Sequence, residues 1–228
     1  VSPSLLRMAL DGLARGQRAR WENGLFPTPR MPAPNHNHYG TFQWDIAPAE
    51  TDADGLVLGL FGPDGSMREP DPVTASLAWA FVVTNPEGEV IASASGIPPP
   101  TVTTVYGAET WGLTRAAEQA SPGSALRSDC QSAVNKGTGP APPRTTYDQP
   151  HADAWALYAK TKFAQQAQPD LGWIPAHTSA AMVGITISAL ERKTNDLADT
   201  LAKREAGKHL PPKSACMALS LHDALIKA

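Results

Sequence analysis

The pattern of apolar and polar positions changes period several times along the chain, and each change marks an element. Over residues 4–22, Leu5, Leu6, Met8, Leu13 and Trp21 recur at helical spacing, which predicts one amphipathic helix. Periodicity lapses from Phe26 to Asp54, a stretch rich in Pro, Asn, His and Ala that reads as an extended linker. The domain proper is expected to begin near Gly55. "LVLGLF" (56–61), "LAWAFVV" (77–83) and "EVIASASG" (89–96) read as three strands, the last two joined by "TNPEGE", whose Pro86 and Gly88 suit a hairpin turn. Tyr106, Trp111, Leu113, Ala116, Ala117 and Ala120 predict a helix over 106–120. A brief strand in "SALRS" (124–128) then leads into a short helix in "DCQSAVNKG", ended by Gly137. A helix at 152–167, a strand at 171–177 and a closing helix at 195–206 complete the order. Strands and helices mixed in this way imply a three-layer α/β architecture with an antiparallel hairpin beside parallel strands.

Composition adds limits. A chain of 228 residues supports one main core with extensions, here divided as 1–54, 55–208 and 209–228. Its 42% hydrophobic and 18% charged residues are ordinary for a globular protein, and the prolines cluster in the expected loops. No apolar run approaches the roughly 20 residues that cross a bilayer, and no cleavable leader opens the chain, so a soluble intracellular protein is expected, nuclear or cytoplasmic. Val1 in place of an initiator Met suggests a piece of something longer. Cys130 and Cys216 are too few for a disulfide framework or a CxxC zinc site. His36 and His38 in "NHNH" read as polar loop residues, since no third or fourth ligand lies nearby. A net charge of −3 argues against a bulk electrostatic grip on nucleic acid. Local grips are left open, because every lysine lies at or beyond Lys136 and five arginines (7, 15, 18, 20, 30) fall in the first thirty residues.

Four acids fall at informative places: Asp64 after the first strand, Glu109 in the first domain helix, Asp129 at the end of the fourth strand and Asp199 in the last helix. Taken singly, each has a structural explanation. Asp129 can cap the helix that follows it, accepting from the free N–H groups of the first turn. Taken together they point elsewhere, because groups at the carboxyl ends of neighbouring strands share one crevice and helices packed over the sheet can add to it. Uncompensated, such carboxylates raise one another's pKa values. Divalent cations remove the conflict, and a pair of Mg²⁺ or Mn²⁺ ions roughly 3.5–4 Å apart suits in-line phosphoryl displacement.

The ordered set "PDGS" (63–66), "AET" (108–110), "SDCQSAV" (128–134), "WIPAHTS" (173–179) and "NDLADTLAK" (195–203) resembles the ribonuclease H family, in particular the RNase H domains that follow reverse transcriptases in non-LTR retrotransposons. The likeness covers about 55–206. It implies an RNase H-like three-layer fold: a mixed five-stranded sheet, three strands antiparallel and then parallel ones, with helices on both faces. It further implies a two-metal endonuclease that cuts the RNA strand of an RNA–DNA hybrid, leaving a 3′ hydroxyl and a 5′ phosphate. Asp64, Glu109, Asp129 and Asp199 would be the metal ligands. His177 stands where the family keeps a mobile histidine that helps protonate or release product. Ser66, Gln131 and Asn195 would support the acids or contact substrate. The hybrid would be held by phosphates and 2′-hydroxyls, with an adjoining reverse transcriptase domain as partner.

Three features depart from the family pattern. Pro63 precedes the first acid and lacks an N–H for a central ladder, so the first strand is expected to end early or bulge there; were the register to slip, Asp71 or Asp54 would substitute for Asp64 as ligand. The stretch between His177 and Asn195 is long and apolar for a loop beside a cleft, as if forming an extra helix. No basic protrusion appears in "GTGPAPPRTTYDQP". These features leave open a catalytically inactive scaffold or nucleic-acid-binding module, whereas Glu109 between the two strand-borne acids argues against an integrase or resolvase.

Overall fold

The computed structural model describes residues 40–68, 75–139, 149–176 and 178–214, together with Arg7, Cys216, Met217 and Ser220. Two compact units are formed, His36–Leu210 and a second made of Val1–Asn35 with Pro211–Ala228. In the second, the Cys216 N–H donates to the Pro212 carbonyl at 3.2 Å. The helix expected at 4–22, His36, His38, Asp71 and His177 lie outside the described residues, apart from Arg7, which is helical.

The larger unit is built on a mixed sheet. Its strands are β1 (Gln43–Ile46), β2 (Leu60–Arg68), β3 (Ser76–Thr84), β4 (Val90–Gly96), β5 (Ala125–Ser128) and β6 (Asp170–Trp173). They lie in the order β1-β4-β3-β2-β5-β6. Neighbours from β1 to β2 run antiparallel, whereas β2, β5 and β6 are parallel. The expected class therefore holds with one correction: among the described residues the sheet has six strands, not five. The sixth is β1, from the stretch read as a linker. Its four residues are too few to show a period, and Asp45 holds it in place by accepting from Ser95 Oγ at 2.6 Å and pairing with Arg204.

Helices α1 (Val105–Gln119), α2 (Gln131–Gly137), α3 (Ala152–Tyr158) and α4 (Ala189–Lys208) complete the fold. Because alternate strand residues point to opposite faces, the sheet feeds two cores. Phe61, Trp79, Phe81 and Val83 join Leu113, Ala117 and Trp155 on the α1 and α3 side. Ala80 and Val82 meet Ala198, Leu201 and Ala202 of α4 on the other. Bulk on one face and small residues on the other let α4 approach closely. A Cβ on Gly62 would stand 2.9 Å from the Thr194 methyl.

Four expectations about these elements need correcting. The first long strand is not the apolar run 56–61 but 60–68, so Asp64 sits inside it rather than after it. Nor does Pro63 end or bulge β2, whose register with β3 runs unbroken from Leu60 to Arg68. The reason is parity. Gly59 turns both its carbonyl, which accepts from the Ala125 N–H at 3.1 Å, and its N–H, which donates to Ser124 Oγ, toward β5. Strand peptides alternate in direction, so Pro63, four residues on, also faces β5, where pairing covers only Leu60 and Phe61. The proline removes no bond to β3. Third, the helix expected at 152–167 stops at Tyr158. There the Lys160 and Thr161 N–H groups bond three residues back, to Leu157 and Tyr158, and tighten the chain into turns.

The apolar stretch 178–194 is not a separate helix either. After a 3-10 turn at Ala180–Met182 it becomes the first turns of α4, begun by a capping box in which Ser188 Oγ accepts from the Glu191 N–H and Glu191 accepts from the Ser188 N–H. No helix among the described residues is long and apolar enough to cross a membrane.

Candidate metal centre

The strand residue that begins the site is Asp64, directly opposite Ala80 of β3. Next to it Gly65 has no side chain for a physical reason: a Cβ there would lie 2.3 Å from the Glu109 backbone nitrogen. A Cβ on Gly112, one turn further along α1, would stand 2.9 Å from the Asp64 carbonyl oxygen. The two glycines let α1 rest directly on β2, and this brings Glu109 to the strand. The Gly65 N–H faces the side where β5 has ended, and it donates to Glu109 Oε2 at 3.0 Å instead.

Asp129 follows the last residue of β5. It does not act as the cap of α2: that position belongs to Cys130, which makes no side-chain cap bond. The Asp129 carboxylate accepts instead from Asn195 Nδ2 of α4, at 3.4 Å. The pairing of β2 with β5 stops at Phe61 and Leu126, short of Asp64 and Asp129. Ligand oxygens of Asp64, Glu109 and Asp129 all lie within 4.8 Å of one another.

The electrostatics of that trio are unfavourable as they stand. Asp64 is only 4% exposed. Burial first, then the charges of Asp129 and Asp199, push its pKa up to about 8. Glu109 is pushed well above its ordinary value, chiefly by burial and then by Asp64. Asp64 Oδ2 is buried with no hydrogen-bond partner. Such an atom is costly in a stable fold unless something else satisfies it. An all-oxygen set of carboxylates, one of them with an unpartnered buried oxygen, suits a hard divalent cation. The residues therefore fit the metal that the sequence suggests.

Asp199, the fourth acid, stands apart from this trio. Its Oδ2 pairs with Lys203 Nζ one turn along α4, at 2.7 Å. Its charge nevertheless reaches the cluster, since it raises the pKa of both Asp64 and Glu109, while Lys203 lowers that of Asp64. Asn195 is buried one turn before Asp199, with its Oδ1 unpartnered. Ser66 is buried two residues along β2 from Asp64, hence on the same face. Gln131 is exposed at the start of α2. Asp54, the substitute ligand, pairs with Lys162. Sequence reasoning missed Lys203, whose spacing four residues after Asp199 was legible, and Trp173, whose indole donates to the Asp129 carbonyl at 3.1 Å.

No family model matches the chain, and no curated protein matches it. Among solved structures the chain is similar to the PFV RNase H domain, at 21% identity and a TM-score of 0.46 over 68% of this chain and 98% of that one. It is similar to RNase H1 from the halophilic archaeon Halobacterium salinarum, at 20% identity and a TM-score of 0.46 over 67% of this chain and 99% of that one. The foamy viral protease-reverse transcriptase solved in complex with an RNA/DNA hybrid is similar at 16% identity, with a TM-score of 0.45 over 71% of this chain and 22% of that one.

Proposed function

We propose that the chain is a ribonuclease H that cleaves the RNA strand of RNA–DNA hybrids with two divalent cations, Mg²⁺ or Mn²⁺. We place it in a retroelement polyprotein beside a reverse transcriptase domain, inside the cell, with residues 55–208 carrying the chemistry and 1–54 and 209–228 as extensions. The observation that carries this reading is the convergence of Asp64, Glu109 and Asp129, whose ligand oxygens lie within 4.8 Å of one another while Asp64 Oδ2 is buried without a hydrogen-bond partner.

Asp64, Glu109, Asp129 and Asp199 would hold the cations. Bound there, the ions would supply the Lewis acidity for in-line hydrolysis of a phosphodiester. The chain's own groups do the positioning. The Gly65 N–H fixes one oxygen of Glu109, and Asn195 reaches the Asp129 carboxylate from α4 through a long contact. Ser66 and Gln131 border the acids as substrate contacts, and His177 is the group proposed to move a proton at the leaving oxygen. Water adds to phosphorus as the bond to the 3′ oxygen breaks, leaving a 3′ hydroxyl and a 5′ phosphate.

Asp129→Asn tests the reading, because it removes charge with little change of shape. Mg²⁺-dependent hybrid cleavage is expected to fall at least 100-fold with the circular dichroism spectrum unchanged; unaltered cleavage refutes the site. One observation favours a second reading, an inactive RNase H-like scaffold: Asp199 is paired with Lys203 and does not join the three clustered acids. That reading predicts no cleavage by the unmutated chain and no Mn²⁺ binding.

A further inference from the structure

We infer that Trp173 is a positioning residue for Asp129, and that its indole N–H sets how tightly the site binds divalent cations. The inference rests on the metal-centre reading above. Asp129 lies at a junction with little intrinsic order, since β5 ends at Ser128 and α2 begins at Gln131 without a side-chain cap. Besides the first bonds of α2, in which the Ala133 and Val134 N–H groups donate to the Cys130 carbonyl, three bonds fasten the backbone of this junction among the described residues. The Ile174 N–H donates to the Ser128 carbonyl at 3.1 Å, and the Cys130 N–H donates to Ser128 Oγ at 3.1 Å. These two hold the neighbours. The third, from Trp173 Nε1 at 3.1 Å, is the one that reaches the peptide of Asp129 itself. On the side-chain end, the Asn195 contact at 3.4 Å is long and constrains the carboxylate weakly.

The placement of the indole supports a local role. Ser128 and Trp173 are directly paired across β5 and β6, so the indole is held beside the junction by the sheet register. Trp173 is 46% exposed, whereas Trp79 and Trp155 are wholly buried in the core with their indole nitrogens unpartnered. A half-exposed ring on an edge strand contributes modestly to the core. Its N–H is spent on the backbone of a proposed ligand. Metal sites tolerate little ligand drift, and groups that orient ligands typically govern affinity by roughly 10–100-fold.

The full chain is compared with Trp173→Phe, which keeps an aromatic ring suited to a strand and loses only the donor. A second variant is Trp173→Gln, whose Nε2 lies as many bonds from Cα as the indole nitrogen. Without metal, the amide NMR signals of Asp129 and Cys130 are expected to shift or broaden in Trp173→Phe, while the melting temperature stays near that of the unmutated chain. Mn²⁺ affinity by titration calorimetry should fall by about 10-fold. Cleavage at limiting Mg²⁺ should fall by the same factor and recover at saturating Mg²⁺, and Trp173→Gln should restore part of the loss. An Mn²⁺ affinity equal to that of the unmutated chain in Trp173→Phe overturns the inference. Should the unmutated chain bind no Mn²⁺, the metal-centre reading fails by itself. The metal-free spectra then decide the remainder: unchanged Asp129 and Cys130 signals in Trp173→Phe overturn the positioning role.

Discussion

Asp64 is where stability and proposed chemistry oppose each other. Folding buries its carboxyl and surrounds it with acids, so its pKa rises to about 8, against roughly 4 in an unfolded chain. Between those values the native state keeps a proton that the unfolded state has released. Stability contributed at this position is therefore full at low pH and declines as pH rises through the window from about 4 to about 8. Asp64→Asn removes that linkage. In EDTA, calorimetry should show the melting temperature of the unmutated chain falling relative to Asp64→Asn as pH increases from about 5 to about 8. Saturating Mg²⁺ should narrow the gap, since a ligand bound only to the native state stabilises it; a gap independent of pH would contradict the burial-driven shift. The acid was visible in the sequence, and its perturbation was not, because burial and neighbouring charge exist only once strand and helices meet.

Among elements, the crossing of α1 over β2 decides the site. Gly65 and Gly112 form a contact with no room for a side chain, and Glu109 arrives beside Asp64 as a result. Gly65→Ala should cost roughly 1–3 kcal/mol in denaturant unfolding, because its Cβ would meet backbone rather than a flexible side-chain tip. Mn²⁺ affinity should fall with it, since any relief moves Glu109; a variant as stable as the original would show that α1 does not sit so close. The helix spacing of α1 and the hairpin of β3 and β4 could be read from periodicity. The extent of β2 could not, because "GPDGS" contains no apolar alternation. Its residues are buried under helices rather than by their own hydrophobicity.

For the whole molecule, the net charge of −3 sets the terms on which the proposed hybrid substrate would bind. With acids at the proposed centre and a net negative charge, affinity for the proposed hybrid should be weak and governed by a handful of phosphate contacts. Filter binding across a salt series should give a log–log slope of magnitude about 2–4; a slope near zero would mean that phosphates are not engaged. The chain by itself determined which acids were available and that strands and helices are mixed, because these follow from residue type and period along a single dimension. Tertiary structure alone decided that three of the acids meet while Asp199 pairs with Lys203, that Pro63 is harmless, and that a strand from the supposed linker completes the sheet. Those outcomes depend on which way each peptide faces and how near two backbones come, quantities that have no counterpart in residue order.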